Sequence, residues 1–281
     1  MKASLARLGT RITAIAVSTL VASPVLAGTL VNTELVLSVD VSGSVDQTEF
    51  NLQRQGYVNA FRDAELIGLI AGLEHGIAVT LQYWSTTSAT PLNWYHIIDA
   101  ATANAFADAI AAAPRPDGNL TNVAAAIESA TDLLLTNDFD GDRLVIDVSG
   151  DGGQNVNLAG NYYCSATYHS QTNLDPACTG LVTAARDASI AEGITINGLP
   201  ILTDVAYLDD YFLEYAIGGE GAFVQAAETF SDFETAVKTK IKREIIPELE
   251  PESVPEPAVT LGLLALGLLG GGSVLKQRDR R

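Results

Sequence analysis

Apolar and polar positions along this chain keep two alternating rhythms. Mostly apolar runs of strand length occur at Leu35–Val39, Gly76–Trp84, Arg143–Val148 and Ile194–Ile201. Such runs fit strands buried on both faces of a parallel sheet. Asn93–Ile98 reads as an edge hairpin strand after Pro91, where proline is tolerated. Ala222–Ala226 reads as a last strand. Between the runs the period changes to that of a helix. Val45–Arg62 places Phe50, Tyr57, Val58 and Phe61 on one face, and Thr121–Leu135 turns Val123, Ile127 and Leu134 inward. Thr102–Ala112, Leu181–Glu192 (stopped by Gly193), a short Leu208–Ala216 and a closing Ser231–Ile246 complete the helices. Alternating strands and helices predict a Rossmann-like, doubly wound α/β fold, with a mostly parallel sheet and helices on both faces.

Both ends follow other rules. Lys2, Arg7 and Arg11 precede the apolar Ile12–Val21, and Val25-Leu26-Ala27 fits a small-residue cleavage site. Residues 1–27 are therefore expected to be a secretory signal peptide. At the other end, 248–257 (ELEPESVPEP) is an acidic, proline-rich linker. The apolar stretch 258–275 is just long enough to span a bilayer, and 276–281 forms a basic cytoplasmic tail. Val254-Pro255-Glu256-Pro257, the span and the basic tail together resemble the PEP-CTERM sorting signal of Gram-negative bacteria. That resemblance implies handling by an exosortase, a transient anchor in the inner membrane, and delivery to the cell surface or extracellular matrix.

Residues 28–247 make one domain with room for a sizeable core. Seven of the 16 basic residues lie in the two terminal segments, against one of the 34 acidic residues. The chain between them carries nine positive and 33 negative side chains, a net of −24. Bulk charge of that sign excludes nucleic acid and anionic lipid as electrostatic partners. Contact with a membrane is left to the C-terminal segment. Cys164 and Cys178 are the only cysteines, and in an exported chain an even count points to a disulfide.

Candidate chemistry gathers at strand ends. The first central strand stops at Asp40, and oxygen side chains follow at alternate positions, Ser42 and Ser44, with Gly43 at the turn. Ser and Asp are also good helix N-caps, so this stretch alone also reads as a cap. Arg143–Val148 ends in Ser149-Gly150-Asp151-Gly152-Gly153, and Thr121 opens a helix after a loop. Open α/β sheets place ligands at the carboxyl ends of their strands. Asp40, Ser42, Ser44, Thr121 and Asp151 can therefore converge into an all-oxygen site. Such a site suits a hard divalent cation: Mg²⁺ first, with Mn²⁺ or Ca²⁺ as alternatives. Asp147, inside its strand, reads as structural. Asp138, Asp140 and Asp142 read as a solvated turn rather than a calcium loop, and His75, His96 and His169 are too scattered for zinc. Trp84, Trp94 and Tyr95 read as core rather than as a sugar platform. P-loop and serine-hydrolase elbow motifs are absent.

The Asp40-x-Ser42-x-Ser44 triplet, the later Thr121 and Gly150-Asp151-Gly152 resemble the metal-ion-dependent adhesion site (MIDAS) of von Willebrand factor A (VWA) domains. VIDVSGDG, GITINGLPI and IGGEGAFV are similar to a bacterial branch of that family whose function is not established. The resemblance implies that Ser42, Ser44 and Thr121 bind the metal directly, and Asp40 and Asp151 mainly through water. It implies a non-enzymatic module that binds a protein or matrix ligand, which donates a carboxylate to the metal. The Cys164–Cys178 region departs from the family pattern, as an insertion beside the metal face. Two other readings use the same residues: a metal-dependent hydrolase, and a structural matrix protein with an inactive site.

Overall fold

The computed structural model describes residues 28–157, 164 and 174–247. The signal peptide and the sorting segments 248–281 lie outside the described residues. In chain order the elements are β1 (Thr29–Val31), β2 (Thr33–Asp40), α1 (Gln47–Phe61), α2 (Ala64–Ala71), β3 (Ile77–Trp84), β4 (Ser88–Ala89), β5 (Tyr95–Ile97), α3 (Ala100–Ala112) and α4 (Val123–Leu135). They continue with β6 (Phe139–Gly141), β7 (Leu144–Gly150), α5 (Pro176–Ala191), β8 (Ile194–Pro200), α6 (Leu208–Tyr211) running into a π-helical turn at Phe212–Ala216, and α7 (Phe233–Ile245).

The main sheet has the order β4-β3-β2-β7-β8. The β2–β3, β2–β7 and β7–β8 pairs are parallel, and the short β4 and β5 lie antiparallel to β3 at the edge. All eight side chains of β2 and of β3 are buried, as their apolar runs predict for central strands. Successive residues of β2 feed two cores. Leu35, Leu37 and Val39 pack with Phe50, Phe61, Phe106 and Phe233 under α1, α3 and α7. Val36 packs with Ile127, Ile146 and Phe212 under α4, α5 and the π turn. The helix faces expected from the sequence, Phe50/Tyr57/Val58/Phe61 and Val123/Ile127/Leu134, are buried.

Three departures have local causes. The stretch Ala222–Ala226 is not a strand. It touches β8 through single bridges, Gly198 with Val224 and Ile201 with Ala227. Gly219 (φ +97°) and Gly221 (φ +68°) adopt the left-handed backbone just before it, which ends an extended run. Helix α2 is capped by Asp63 onto Leu66 N, and its AELIGLIA sequence has too few turns to display a helical period. Phe139–Gly141 adds a parallel strand against β1, while Asp138, Asp140 and Asp142 face solvent.

Beneath the sheet, α7 carries a buried charge cluster. Lys240 is fully buried, and its Nζ forms an ion pair with Asp147 Oδ1 in β7 at 2.6 Å. Lys240 also pairs with Glu244, whose Oε1 accepts from Asn197 Nδ2 at 3.1 Å. Burial pushes the Glu244 carboxyl up to about 7, the Lys240 charge pulls it down, and Asp147 pushes it up again. Between its ordinary value of 4.5 and about 7, the folded protein therefore holds a proton that the unfolded chain has released. The contribution of Glu244 to stability is present at low pH and is lost as pH rises through that window. Urea unfolding at pH 5 and pH 7.5 should show wild type losing more stability over the interval than Glu244→Gln. Parallel pH dependences would contradict the assignment.

Candidate metal site at the strand ends

The register brings the predicted residues to one edge. Asp40 ends β2 opposite Trp84 at the end of β3, and Gly150 ends β7 opposite Pro200 of β8. A Cβ on Gly150 would lie 2.8 Å from Asp40 Oδ2 and 3.0 Å from the Trp84 ring, so only glycine lets β7 finish this close to Asp40. Gly118 plays the same part from the other side, where a Cβ would overlap Val41 O at 1.7 Å. Helix α1 is capped by Asp46, whose Oδ1 accepts from Thr48 N and Glu49 N while Glu49 returns a bond to Asp46 N. The cap is therefore Asp46, and the hydroxyls of Ser42 and Ser44 are left for other work.

Those hydroxyls join the other three residues. Ser42 N donates to Asp40 Oδ1 at 2.7 Å, and the Ser42 and Ser44 hydroxyls are 3.2 Å apart. Ser44 Oγ donates to Asp151 Oδ1 at 2.7 Å, and Thr121 Oγ1 donates to Ser42 Oγ at 3.4 Å. Asp40, Ser42, Thr121 and Asp151 are buried, while Ser44 is exposed at the rim. The second carboxylate oxygens, Asp40 Oδ2 and Asp151 Oδ2, are buried and have no hydrogen-bond partner among the described residues. Burial, then the charge of Asp151, holds the Asp40 carboxyl well above the usual range. Burial pushes Asp151 up to about 6; the Ser44 bond opposes this, and Glu49 and Asp204 add to it.

Unpartnered buried oxygens are costly. Two carboxylates held together with three hydroxyls match the donor chemistry of a hard divalent cation, so these residues fit such an ion. Among the described residues no group of three or more His, Cys, Asp or Glu side chains could hold a metal, so the site depends on its hydroxyls. His96 Nε2 donates to the carbonyl of His75 (2.8 Å), both near the amino end of β3, far from this edge. His169 lies outside the described residues.

Sequence reasoning missed the residues that hold the site. Asn155 Oδ1 accepts from Thr121 N at 2.8 Å, its Nδ2 donates to Thr121 Oγ1 at 3.3 Å, and its own N donates to Thr121 O at 2.9 Å. Gln154 Oε1 accepts from Ala124 N, and its Nε2 donates to Asn122 Oδ1, the N-cap of α4. The π-turn side contributes Tyr211, whose hydroxyl accepts from Gln154 N at 3.1 Å. The available signal was the polar pair Gln154-Asn155 directly after a glycine-rich strand end.

Cys164 and Cys178 are bridged, with Cα atoms 5.7 Å apart. Cys178 sits in the first turn of α5, and Cys164 N donates to Asn155 O at 3.3 Å. The bridge thus ties α5 to the segment that clamps Thr121. With a sequence separation of 14, its removal in Cys164→Ser/Cys178→Ser should cost about 3 kcal/mol on the loop-entropy model, measured by urea unfolding. A loss below about 1 kcal/mol would show that the loop stays pinned without it.

No helix among the described residues is long and apolar enough to cross a membrane; the candidate span 258–275 lies outside them. No curated protein matches the chain. Solved structures share its fold. The PilB minor pilin from Streptococcus sanguinis is 15% identical, with a TM-score of 0.54, over 82% of this chain and 65% of the pilin. The pilus adhesin SpaC from Lactobacillus rhamnosus GG is 17% identical, with a TM-score of 0.53, over 76% of this chain and 30% of the adhesin. The vWF domain of the type V pili tip protein Mfa5 from Porphyromonas gingivalis is 12% identical, with a TM-score of 0.51, over 80% of this chain and 98% of that domain. This chain thus spans under two thirds of the SpaC and PilB chains. At these identities the likeness establishes the fold alone: mixed α/β, with a mostly parallel sheet, as in vWF A-type domains. Residues 253–281 match the PEP-CTERM protein-sorting motif, which makes this an exported protein with a C-terminal sorting signal. Residues 30–249 match the family described as "Protein of unknown function (DUF1194)", and the chain belongs to that family.

Proposed function

We propose that the exported domain is a non-enzymatic binding module of VWA type, whose strand-end site holds Mg²⁺ or a similar divalent cation and takes a carboxylate from a protein or matrix partner. One observation carries this reading. Two buried carboxylate oxygens without partners among the described residues, Asp40 Oδ2 and Asp151 Oδ2, stand in one hydrogen-bonded cluster with the hydroxyls of Ser42, Ser44 and Thr121. In this reading Ser42, Ser44 and Thr121 hold the ion directly, and Asp40 and Asp151 hold it mainly through water. Asn155 and Gln154 keep Thr121 in place. Neutral hydroxyl ligands leave the ion electron-poor, and what it supplies is a positive charge that attracts an acidic group. The pilus adhesin and pilin likenesses agree with a role in attachment. The sorting signal agrees with exosortase processing, transient anchoring in the inner membrane, and residence at the surface or in the matrix of a Gram-negative cell.

The test is kinetic. Purified exported protein is immobilised, and the solubilised surface fraction of its own cells is passed over it at two salt concentrations, each with Mg²⁺ and with chelator. The exported chain carries −24, so an acidic partner is repelled at long range. That repulsion is screened within about 8–10 Å at physiological ionic strength, whereas direct contact with a metal is screened far less. Moderate salt should therefore speed association and leave dissociation nearly unchanged, and chelator should abolish binding. Binding that survives chelator and weakens with salt would remove the metal from the mechanism.

A further inference from the structure

A pocket lies away from the strand ends that carry the candidate metal site. It opens at the sheet edge between β4 and β5, where Thr90–Trp94 pass beside β3, and its far wall is the end of α4 and the start of β6. Its volume is about 610 Å³, within the roughly 300–1,000 Å³ of small-molecule sites. The half-buried rings of Trp94 and Phe139 form the apolar part, with centroids 6.1 Å apart and planes tilted by 51°.

The polar lining divides into groups the fold uses and groups it does not. Thr80 Oγ1 donates to Leu92 O, and Asn137 Nδ2 donates to Glu34 Oε2. By contrast, the Thr90 hydroxyl, the Asn93 amide, the Trp94 indole N–H and the Asp138 carboxylate make no hydrogen bond to another described residue. Two donors, a hydroxyl and one carboxylate are thus left unspent around an aromatic pair. Among the described residues no Lys or Arg lines the pocket, and its one charged group is Asp138, which repels an anionic ligand. A wholly apolar ligand would strip water from the polar groups and return no bonds, at a cost. A ligand with one apolar face and a rim of hydroxyls uses both parts of the lining.

We propose that this pocket binds neutral carbohydrate. The C–H face of a hexopyranose packs on Trp94, and its hydroxyls bond Asn93 and Asp138. Trp94 thereby has a role that its position near a strand end does not announce.

The proposal can be tested on the exported protein through its own fluorescence. Of the two tryptophans, Trp84 is 0% exposed and Trp94 is half-buried, so a ligand in the pocket reports through Trp94. The probes are the methyl glycosides of glucose, galactose and mannose, with glucuronic acid as the charged comparison. At least one neutral glycoside should give a saturable change at millimolar concentration or below, and glucuronic acid should bind more weakly. Asn93→Ala and Asp138→Asn, both at exposed positions, should each weaken binding about tenfold, the worth of one hydrogen bond at about 1.4 kcal/mol, and leave the unfolding midpoint unchanged. Chelator should have no effect, which separates this pocket from the proposed metal site. The proposal is overturned if none of the three glycosides saturates, if glucuronic acid binds as tightly as they do, or if either variant binds like wild type.

Discussion

Lys240→Ala should cost about 3–5 kcal/mol of folding stability, a large share of the roughly 5–15 kcal/mol available to a domain. Lys240 is fully buried on α7 and stands between Asp147 and Glu244, which are also fully buried. Its removal leaves two carboxylates in the interior with no cation beside them, and a buried charge without a counter-ion is among the largest single penalties in a fold. Lys240→Met, which keeps the stem's packing, should do nearly as badly, because the loss is electrostatic. Lys240→Met combined with Asp147→Asn and Glu244→Gln should recover most of the loss, since no net charge then remains buried. Urea unfolding of the three proteins decides the matter. A single variant within about 1 kcal/mol of wild type would mean that the cluster is hydrated and not enclosed by the core.

This cluster also shows where a sequence stops being legible. Asp147 reads as structural from its place inside an apolar strand. Its partner is 93 residues away; helical spacing from Phe233, Ala236, Val237 and Ile241 puts Lys240 on the buried face of α7, unlike Lys238 and Lys242, but does not say which distant carboxylate it meets there. The parallel sheet was legible because burial on both faces leaves mostly apolar runs in β2, β3 and β7. The candidate metal set was legible for a related reason. Strand ends are marked by the change from apolar to Asp, Ser and Gly, and the topology then places all such ends on one edge. Asn155 and Gln154 were not, because their work is to bond the backbone around Thr121, more than 30 residues earlier, and amide side chains advertise no such target. The β1–β6 pair and α2 escaped notice because elements of three and eight residues are too short to show a period.

Asp151→Ala should abolish Mg²⁺ binding and leave the metal-free domain at least as stable as wild type. The two halves of this expectation come from the same atoms. Among the described residues Asp151 Oδ2 is buried without a partner, as is Asp40 Oδ2, so without an ion both carboxylates oppose folding. Removing one relieves that opposition. It leaves the Ser44 hydroxyl, which is at the rim, free to bond water instead of Asp151 Oδ1. The substitution lies beyond the end of β7 and outside both hydrophobic cores, so no cavity opens beneath the sheet. With Mg²⁺ present the order reverses. An ion that binds only the folded state stabilises wild type by about 2.7 kcal/mol at a hundredfold excess over its Kd, and the variant gains nothing. Calorimetry with Mg²⁺ alone, paired with urea unfolding with and without the ion, tests both halves. A substitution that merely damaged the fold would lower stability in both conditions. A variant that binds Mg²⁺ with wild-type affinity would take Asp151 out of the site, and with it the reading of this edge as a metal-dependent binding surface.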